Sequence, residues 1–417
     1  MNIAGIIAEY NPFHLGHRHH LDETRRLTGA DYVIVVLSGN FVQRGEPAIL
    51  DKSLRTRMAL MGGADCVLEL PAPFACAGAE DFAMGAVSLF HKLGAVNTLS
   101  FGSECGELRM LTQASQILLH EPAIFRRTLK ARLREGASYP RARSAALTAA
   151  GADTDVCTAA AEPNNLLGIE YLNALSRFNS PIRPFTLPRK GNAYHDLSLH
   201  AGGYCSASAL REVIMQLYKT DSEAPYHSFL SRLPEAVRPL YPEDAIYPIF
   251  PDDCSLLLNY RILSGQNFGE VFSSFLDISS ELAGRLTRQA LDSRSFTGRI
   301  AALKTRQYTY TRISRGLLHL LLNIRQEEME AYRKNGFASY ARILGFKKSA
   351  SPLLKALKAH SIIPLITKPA DAPALLSREA LPLWEKDIYC SHVYRTLFEQ
   401  KYPVTLPDEY RRPPVIL

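Results

Sequence analysis

The stretch MNIAGIIAEYNPFHLGH, residues 1–17, decides the fold of the N-terminal half of the chain. Within it Ile3–Ala8 is a short apolar run, which is typical of a strand buried on both faces of a parallel sheet. A polar turn from Asn11 to His17 follows, and a helix is predicted over 17–28. A strand, a turn and a helix in this order predict the first part of a βαβ unit.

The same alternation continues along the next 90 residues or so. Further buried strands, each ended by Gly, Ser or Pro, are predicted at 32–38, 66–70 and 98–101. With helices between them, they predict an α/β fold whose N-terminal domain is a doubly wound, Rossmann-like parallel sheet. Ligands of such sheets bind beyond the carboxyl ends of the strands. The loops predicted to wall the site are therefore 9–17, 39–47, 71–76 and 102–106.

The chain is too long for one ordinary domain, since it has 417 residues. A Pro-rich stretch at 234–251 marks a boundary, and we divide the chain into domains at 1–220 and 221–417. A strand at 182–187 is predicted to complete the first domain. The second is predicted to be mainly helical, with helices that include 311–332 and 336–344 and one short strand at 362–367.

Composition excludes several classes of protein. The seven cysteines form no CxxC pair, which argues against a structural zinc site. The N-terminus lacks the basic region of a signal peptide, and no apolar run reaches the length of a membrane span. We therefore expect a cytoplasmic protein with no membrane contact and no stable protein partner. The formal net charge of +7 is compatible with a polyanionic partner.

The segment His14-Leu15-Gly16-His17 carries the strongest chemical signal. Glycine lets the backbone approach a phosphate closely, and the first turn of a helix offers unpaired N–H groups to an anion. The two imidazoles can donate hydrogen bonds to the phosphate oxygens of a transferring phosphoryl group. A surface histidine pair, or a metal site that includes His19 and His20, is the alternative interpretation.

This H-x-G-H pattern after the first strand resembles the signature of the nucleotidyltransferase superfamily, which includes class I aminoacyl-tRNA synthetases. A second signature of that superfamily, a serine-rich turn followed by an arginine on a helix, is matched by Ser206, Ser208 and Arg211. The lysine loop of an ordinary synthetase is missing. The resemblance therefore implies an N-terminal nucleotidyltransferase domain that binds ATP.

Longer segments, in the correct order, resemble one family closely, the bacterial tRNA(Met) cytidine acetate ligases. The likeness is dense over the first 215 residues and looser beyond them, although the family usually has Asn where Leu15 stands. The matching segments are EYNPFHLGH (9–17), SGNFVQRGEP (38–47), LELP (68–71), FGSE (101–104), GASYP (136–140), PNNLLGIEYL (163–172) and AYHD (193–196).

The resemblance implies a two-step reaction. ATP and acetate would form acetyl-adenylate and pyrophosphate, and the acetyl group would then pass to N4 of the wobble cytidine of elongator tRNA(Met). Mg²⁺ is expected to accompany ATP and to be bound mainly by its phosphates. No resident metal site is expected.

The same resemblance assigns site residues. His14 and His17 are the expected catalytic phosphate contacts. For either Asn164 or Asn165, and for Ser206, a plain helix cap is the alternative role. The expected nucleotide contacts are Ile7, Ala8, Glu9, Tyr10, Asn11, Gly16, His20, Gly102, Asn164, Asn165, Arg189, Lys190, Ser206, Ser208 and Arg211.

Charge position indicates where RNA would bind. Residues 299–348 contain eleven Lys or Arg and only three acidic residues, with tyrosines between them. Basic side chains neutralise phosphates and aromatic rings stack on splayed bases, although solvated helix faces have the same composition. The expected RNA contacts are Arg44, Arg126, Arg127, Lys130, Lys304, Arg306, Tyr308, Arg312 and Arg315.

Two other functions are compatible with part of this pattern. An adenylyltransferase for a small phosphorylated metabolite would share the fold and the H-x-G-H turn, but it would not need the 200 additional, mostly helical residues. A non-catalytic RNA-binding protein with a relic nucleotide pocket would not need to keep His14, Gly16, His17 and Arg211.

Overall fold

The computed structural model describes residues 1–189, 205–219, 223–241, 246–305 and 308–417. In these ranges the strands are β1 (Ile3–Ala8), β2 (Tyr32–Ser38), β3 (Phe41–Val42), β4 (Glu46–Pro47), β5 (Cys66–Leu70), β6 (Thr98–Ser103), β7 (Arg183–Pro188), β8 (Ala341–Phe346), β9 (Leu365–Ile366) and β10 (Val415–Ile416).

Helices connect and surround these strands. They are α1 (Leu15–Thr28), α2 (Lys52–Met61), α3 (Ala72–Ala75), α4 (Ala79–Leu93), α5 (Leu108–His120), α6 (Ala123–Arg134), α7 (Tyr139–Ala149), α8 (Thr154–Ala159), α9 (Pro163–Arg177), α10 (Ala207–Lys219), α11 (Glu223–Leu230), α12 (Ser255–Asn267), α13 (Ser280–Arg288), α14 (Phe296–Leu303), α15 (Tyr310–Leu321), α16 (Gln326–Lys334), α17 (Ser351–His360), α18 (Ala372–Leu375) and α19 (Leu381–Lys401). Short 3₁₀ turns lie at Glu235–Leu240, Pro251–Cys254, Phe272–Ser274, Lys348–Ala350, Pro369–Asp371 and Glu409–Arg411.

The main sheet has the strand order β10-β8-β5-β2-β1-β6-β7, and β9 pairs with the outer side of β8. All pairs are parallel except β5 with β8. The chain leaves β1 toward β2 and β5, and then returns to add β6 on the other side of β1. The strand order therefore reverses beside β1, which is where a doubly wound sheet forms its ligand crevice.

The sheet separates two apolar layers. Ile34 and Val36 point to the layer that contains α4 and α9, whereas Val33 and Val35 point to the layer of α1 and α2, as the alternation of side chains along a strand requires. A third apolar cluster joins α12 to α15 and the C-terminal half of α19. No helix in the described ranges combines the length and apolarity needed to cross a membrane.

The predicted α/β sheet is confirmed, since β1, β2, β5, β6 and β7 lie where the sequence pattern indicated. The helix predicted at 336–344 is wrong, because residues 336–340 are not helical and Ala341–Phe346 forms β8 next to β5. Burial on both faces of the sheet overrides the local helical pattern here. The sheet therefore takes strands from both sides of the predicted boundary near residue 220.

One long helix predicted at 311–332 is two helices, α15 and α16. The break falls at Asn323, whose backbone has a φ of 52°, in the left-handed region. Asparagine is one of the few residues that adopt this conformation readily, and it ends a helix there. The predicted strand at 362–367 is present in shorter form as β9.

Candidate active site

The histidine turn lies at the carboxyl end of β1, where the strand order reverses. His14 is the N-cap of α1, and its Nδ1 accepts a hydrogen bond from the backbone N–H of Gly16 at 3.0 Å. Nδ1 of His17 accepts in turn from the backbone N–H of His14 at 3.3 Å. Because both Nδ1 atoms are acceptors, each neutral ring carries its proton on Nε2 and presents that N–H as a donor.

The two imidazoles are uncharged. Burial, together with the positive charges of Arg189 and Arg211, lowers the pKa of His14 to about 3. Burial also lowers the pKa of His17 well below its usual value, with a smaller contribution from His14. The rings stack with their centroids 3.7 Å apart, an arrangement that suits two neutral rings and not two cations. The turn therefore offers two neutral hydrogen-bond donors.

His20 stands one turn further along α1. Its Nε2 lies 3.1 Å from Oγ of Ser100, on β6, which is bonded in turn to Oγ1 of Thr24. Burial lowers the pKa of His20 to about 4, and Arg189 acts in the same direction. This contact ties α1 to β6 across the crevice.

A cavity of about 240 Å³ opens beside the turn. It is lined by sixteen of the residues that the sequence indicated: Ile7, Ala8, Glu9, Tyr10, Asn11, His14, Gly16, His17, His20, Arg44, Gly102, Asn164, Arg189, Ser206, Ser208 and Arg211. Residues from the beginning and from the end of the segment 1–215 therefore line one cavity.

The other residues of the wall carry no local sequence signal. Most of these residues are apolar or aromatic and come from helices and strands whose orientation depends on packing, so no local pattern identifies them. The remaining lining residues are His19, Gln43, Phe82, Phe101, Leu167, Tyr171, Leu187, Pro188, Cys205 and Ala207.

The two asparagines at the start of α9 are placed differently. Asn164 lines the cavity, and its Oδ1 accepts a hydrogen bond from Arg189 at 3.1 Å. Asn165 is buried below it, where its Oδ1 accepts from Cys105 N and its Nδ2 donates to Ala159 O. Asn165 is thus not brought to the cavity. Glu104 caps this helix by accepting both asparagine backbone N–H groups.

The serine-rich turn before α10 is joined to the histidine turn. Arg211 donates to the backbone oxygen of Asn11 at 2.8 Å and to Oγ of Ser208 at 3.2 Å, and it lies 3.9 Å from Glu46. Oγ of Ser206 accepts from the N–H of Ala209 at 3.1 Å, so Ser206 does cap a helix. The two signatures, 200 residues apart in the chain, form one wall.

Gly102 and the neighbouring arginine occupy the same corner of the cavity. A Cβ atom on Gly102 would lie 3.3 Å from Cγ of Arg189, so a side chain here would first displace the arginine. Lys190, Arg306 and the AYHD segment lie outside the described residues.

The expected RNA contacts that the structure describes include both exposed side chains and side chains engaged within the protein. Arg126, Arg127 and Lys130 on α6 are exposed, as are Lys304 and Arg312.

Two further members of this set are engaged within the protein. Arg315 donates to Asp277 at 2.8 Å. Tyr308 is only 6% exposed, and its hydroxyl is bonded to Ser279 and Glu281, so its ring offers no face to a base. This corrects the prediction for Tyr308. The neighbouring Tyr310 is 43% exposed.

The hairpin β3–β4 connects the cavity to the α15 surface, which we define by the exposed residues Lys304, at the end of α14, and Tyr310 and Arg312, on α15. Oγ of Ser314 donates to the backbone oxygen of Gly45 at 2.8 Å, and Arg44 of the same hairpin lines the cavity. Gly45 has a φ of 79°, and a Cβ atom there would lie 2.4 Å from the backbone nitrogen of Arg315. Glycine is required at this contact.

Comparisons with known proteins agree on one family. The model of the HIGH Nucleotidyl Transferase family matches residues 1–406. The chain is 37% identical to a tRNA(Met) cytidine acetate ligase of Thermoanaerobacter sp. (strain X514), with 96% of each chain covered. It is also 37% identical to one of Clostridium perfringens (strain SM101 / Type A), with 100% of each chain covered.

Two solved structures are similar over their whole length. Apo TmcAL of Thermotoga maritima superposes with a TM-score of 0.90 at 29% identity, and all of both chains is covered. The same protein bound with alpha-thio ATP superposes with a TM-score of 0.88 at 28% identity, again over all of both chains.

Proposed function

The chain belongs to the HIGH nucleotidyl transferase family and, within it, to the tRNA(Met) cytidine acetate ligases, and on this premise we propose that it acetylates N4 of the wobble cytidine of elongator tRNA(Met). In the first step an acetate oxygen attacks the α-phosphorus of ATP, and pyrophosphate leaves. In the second step N4 attacks the acetyl carbon, and AMP leaves. The observation that carries the proposal is the neutral histidine turn in the crevice of the sheet.

The turn suits the first step because both donors are N–H groups of neutral rings. They can donate hydrogen bonds without first taking up a proton. Nε2–H of His14 and Nε2–H of His17 would donate to oxygens of the α-phosphoryl group, whose charge redistributes as acetate attacks. Nδ1 of each ring is held by a backbone N–H, so the donors are oriented before the substrate arrives. Arg189 and Arg211 line the same cavity and would bind the leaving pyrophosphate.

Mg²⁺ would enter with the nucleotide. Within the described ranges no group of three or more His, Cys, Asp or Glu is arranged to hold a metal ion. Among the described residues of the cavity wall, only Glu9 carries a carboxylate. These residues fit an ion held mostly by phosphate oxygens and water, as Mg²⁺ commonly is in sites for nucleoside triphosphates.

The tRNA would approach across the α15 surface. Lys304 and Arg312 are exposed there. The β3–β4 hairpin contacts α15 through Gly45 and so joins this surface to the cavity wall. The wobble base of an anticodon loop is single-stranded, so little stacking energy opposes its entry into the pocket.

The decisive experiment separates the two steps. Purified protein, ATP and acetate should exchange labelled pyrophosphate into ATP without tRNA. Addition of unmodified tRNA(Met) should then yield N4-acetylcytidine, detected by mass spectrometry after nuclease digestion. A tRNA(Met) with uridine at the wobble position is the matched control and should remain unmodified.

Other outcomes would reject the proposal. Exchange that requires a phosphorylated metabolite in place of acetate would indicate an adenylyltransferase. RNA binding without any exchange would indicate a non-catalytic protein.

A further inference from the structure

Glu9 is the single acidic side chain among the described residues that line the cavity, whereas arginines line it at three positions, Arg44, Arg189 and Arg211. A carboxylate repels the phosphate groups of ATP, so Glu9 does not favour the binding of the triphosphate itself. The position of Glu9 therefore calls for a chemical reason, which the first step does not supply.

The carboxylate is held firmly in place. Glu9 follows β1 directly, and its Oε1 accepts a hydrogen bond from the backbone N–H of Gln43 at 2.9 Å. Its backbone oxygen accepts from the fully buried Arg55 at 2.7 Å. These contacts fix the side chain through one oxygen and the main chain, and among the described residues Oε2 has no hydrogen-bond partner and can face a ligand.

The environment of Glu9 suits proton transfer. Burial raises the pKa of the carboxyl group, and the backbone N–H of Gln43, Arg211 and Arg44 oppose the shift. A base works best when its pKa lies near the working pH. His14 and His17 are poorer bases because burial lowers their pKa values.

The two half-reactions differ in their need for a base. Acetate is already an anion at neutral pH, so its attack on ATP releases no proton. The exocyclic N4 of cytidine carries two hydrogens and must lose one to become an amide nitrogen. Only the second step therefore needs a proton acceptor inside the cavity.

We propose that Glu9 is the general base of acetyl transfer, an inference that rests on the function proposed above. Oε2 takes one proton from N4 as the bond from N4 to the acetyl carbon forms. The bond between that carbon and the AMP oxygen breaks, and AMP leaves with the electron pair. The protonated Glu9 then returns its proton to solvent.

The test compares two acceptors of the same acetyl-adenylate in the Glu9→Gln variant. Hydroxylamine is a strong nucleophile that needs no enzymic base, so acetohydroxamate formation reports adenylate formation alone. We expect acetohydroxamate to fall no more than about threefold, while N4-acetylcytidine formation falls about 100-fold or more. Glu170→Gln is the matched control, because Glu170 is another carboxyl group whose pKa burial raises, and it does not line the cavity. This control should change neither product.

The pH profile gives a second readout. Transfer by the wild type should rise with pH until Glu9 is ionised and then level off, and Glu9→Gln should lose this rise. The titratable and charged groups that face Glu9 are Arg44, Glu46, Arg55, Tyr171 and Arg211. Glu9→Asp keeps a carboxylate and should transfer slowly with the pH rise intact, which decides the question if the Gln variant does not fold.

Three results would overturn the assignment. A parallel loss of both products would make Glu9 a contact of the nucleotide or its metal ion. Normal transfer in Glu9→Gln, or a pH rise that persists in it, would remove the base role. Wild-type protein that forms no acetohydroxamate from ATP and acetate would instead reject the proposed function itself.

Discussion

Two charged regions of the molecule are built on different rules. Glu69 on β5 and Arg342 on β8 belong to a buried ion cluster that we define as Lys52, Glu69, Arg342, Glu409, Arg412 and Asp51. Nζ of Lys52 is 2.6 Å from Glu69 and 2.7 Å from Glu409, and Arg342 contacts the same two carboxylates. Arg412 lies 2.8 Å from Asp51.

The cluster is balanced, with three cations and three carboxylates. Burial alone would raise the pKa of Glu409, but Lys52, Arg342 and Arg412 hold it well below its ordinary value. The cavity instead gathers three arginines around one carboxylate among its described residues. Where buried charges neutralise one another, they join elements of the fold. Where one sign is in excess beside a cavity, a ligand of the other sign is expected.

Removal of one cation from the buried ion cluster should have the largest effect. Lys52→Met would leave Glu69 and Glu409 short of a partner, and the free energy of unfolding should fall by about 3–5 kcal/mol. Urea denaturation followed by circular dichroism measures this change. The double variant Lys52→Met/Glu409→Gln restores equal numbers of charges and should recover part of the loss.

The matched change in the cavity should act differently. Arg189→Met removes an exposed arginine and should alter the free energy of unfolding by less than about 0.5 kcal/mol, while it weakens ATP binding. If Lys52→Met proves as harmless to stability as Arg189→Met, the contrast between the two regions is lost.

His17→Ala tests the cavity through activity. Loss of one preorganised donor to the α-phosphoryl group should slow acetate-dependent pyrophosphate exchange about 100- to 1,000-fold. Affinity for tRNA(Met), measured by filter binding, should stay within about twofold because the histidine lines the cavity proposed to bind the nucleotide. The control His120→Ala changes an exposed histidine on α5 and should leave exchange intact. Normal exchange in His17→Ala would remove the histidine turn from the mechanism.

The two regions also differ in how far they can be predicted from sequence. The crevice could be predicted because it is built from local patterns. A buried strand, a histidine cap and a serine-rich turn each have a local signature, and the sheet topology brings them together. What no local pattern shows is orientation, and so Asn164 and Asn165 could not be told apart. The structure places Asn164 on the cavity wall and Asn165 beneath it.

The buried ion cluster could not be predicted. Lys52 looks like an ordinary helix-start lysine, yet its side chain is fully buried because Glu69 and Glu409, from distant segments, neutralise it. Arg342 similarly makes the β8 segment look like part of a polar helix. Its partners, Glu69 and Glu409, lie far away in the sequence. Tyr308 shows the same difficulty in reverse, since an aromatic ring in a basic segment resembles an RNA contact until its burial is seen.

The neutral histidines predict a loss of stability in mild acid. Burial lowers the pKa of His20 to about 4 from an ordinary value near 6.5. Between these two pH values the unfolded chain binds a proton that the folded chain excludes. The stabilisation is complete above about pH 6.5 and is lost as the pH falls toward 4. At pH 5 the loss from His20 alone should be about 2 kcal/mol.

His20→Asn is the variant that sharpens this test. It removes one titrating ring, so its free energy of unfolding should fall less between pH 7 and pH 5 than that of the wild type. Identical pH slopes in the two proteins would show that His20 does not stay neutral in the fold.

A smaller effect, on affinity alone, is expected at the α15 surface, where charge meets solvent. Lys304→Glu/Arg312→Glu should weaken tRNA(Met) binding about 10-fold, or ~1.4 kcal/mol, and reduce its salt dependence, because exposed contacts to phosphates are individually weak. Acetate-dependent pyrophosphate exchange without tRNA should be unaffected. Lys355→Glu/Lys358→Glu makes the same charge change on exposed residues of α17 and is the control. If both double variants weaken binding equally, net charge and not the α15 surface governs the encounter. If only Lys304→Glu/Arg312→Glu weakens binding, the RNA is held by the α15 surface. The excess of positive charge that distinguishes the cavity from the buried ion cluster then continues onto that surface.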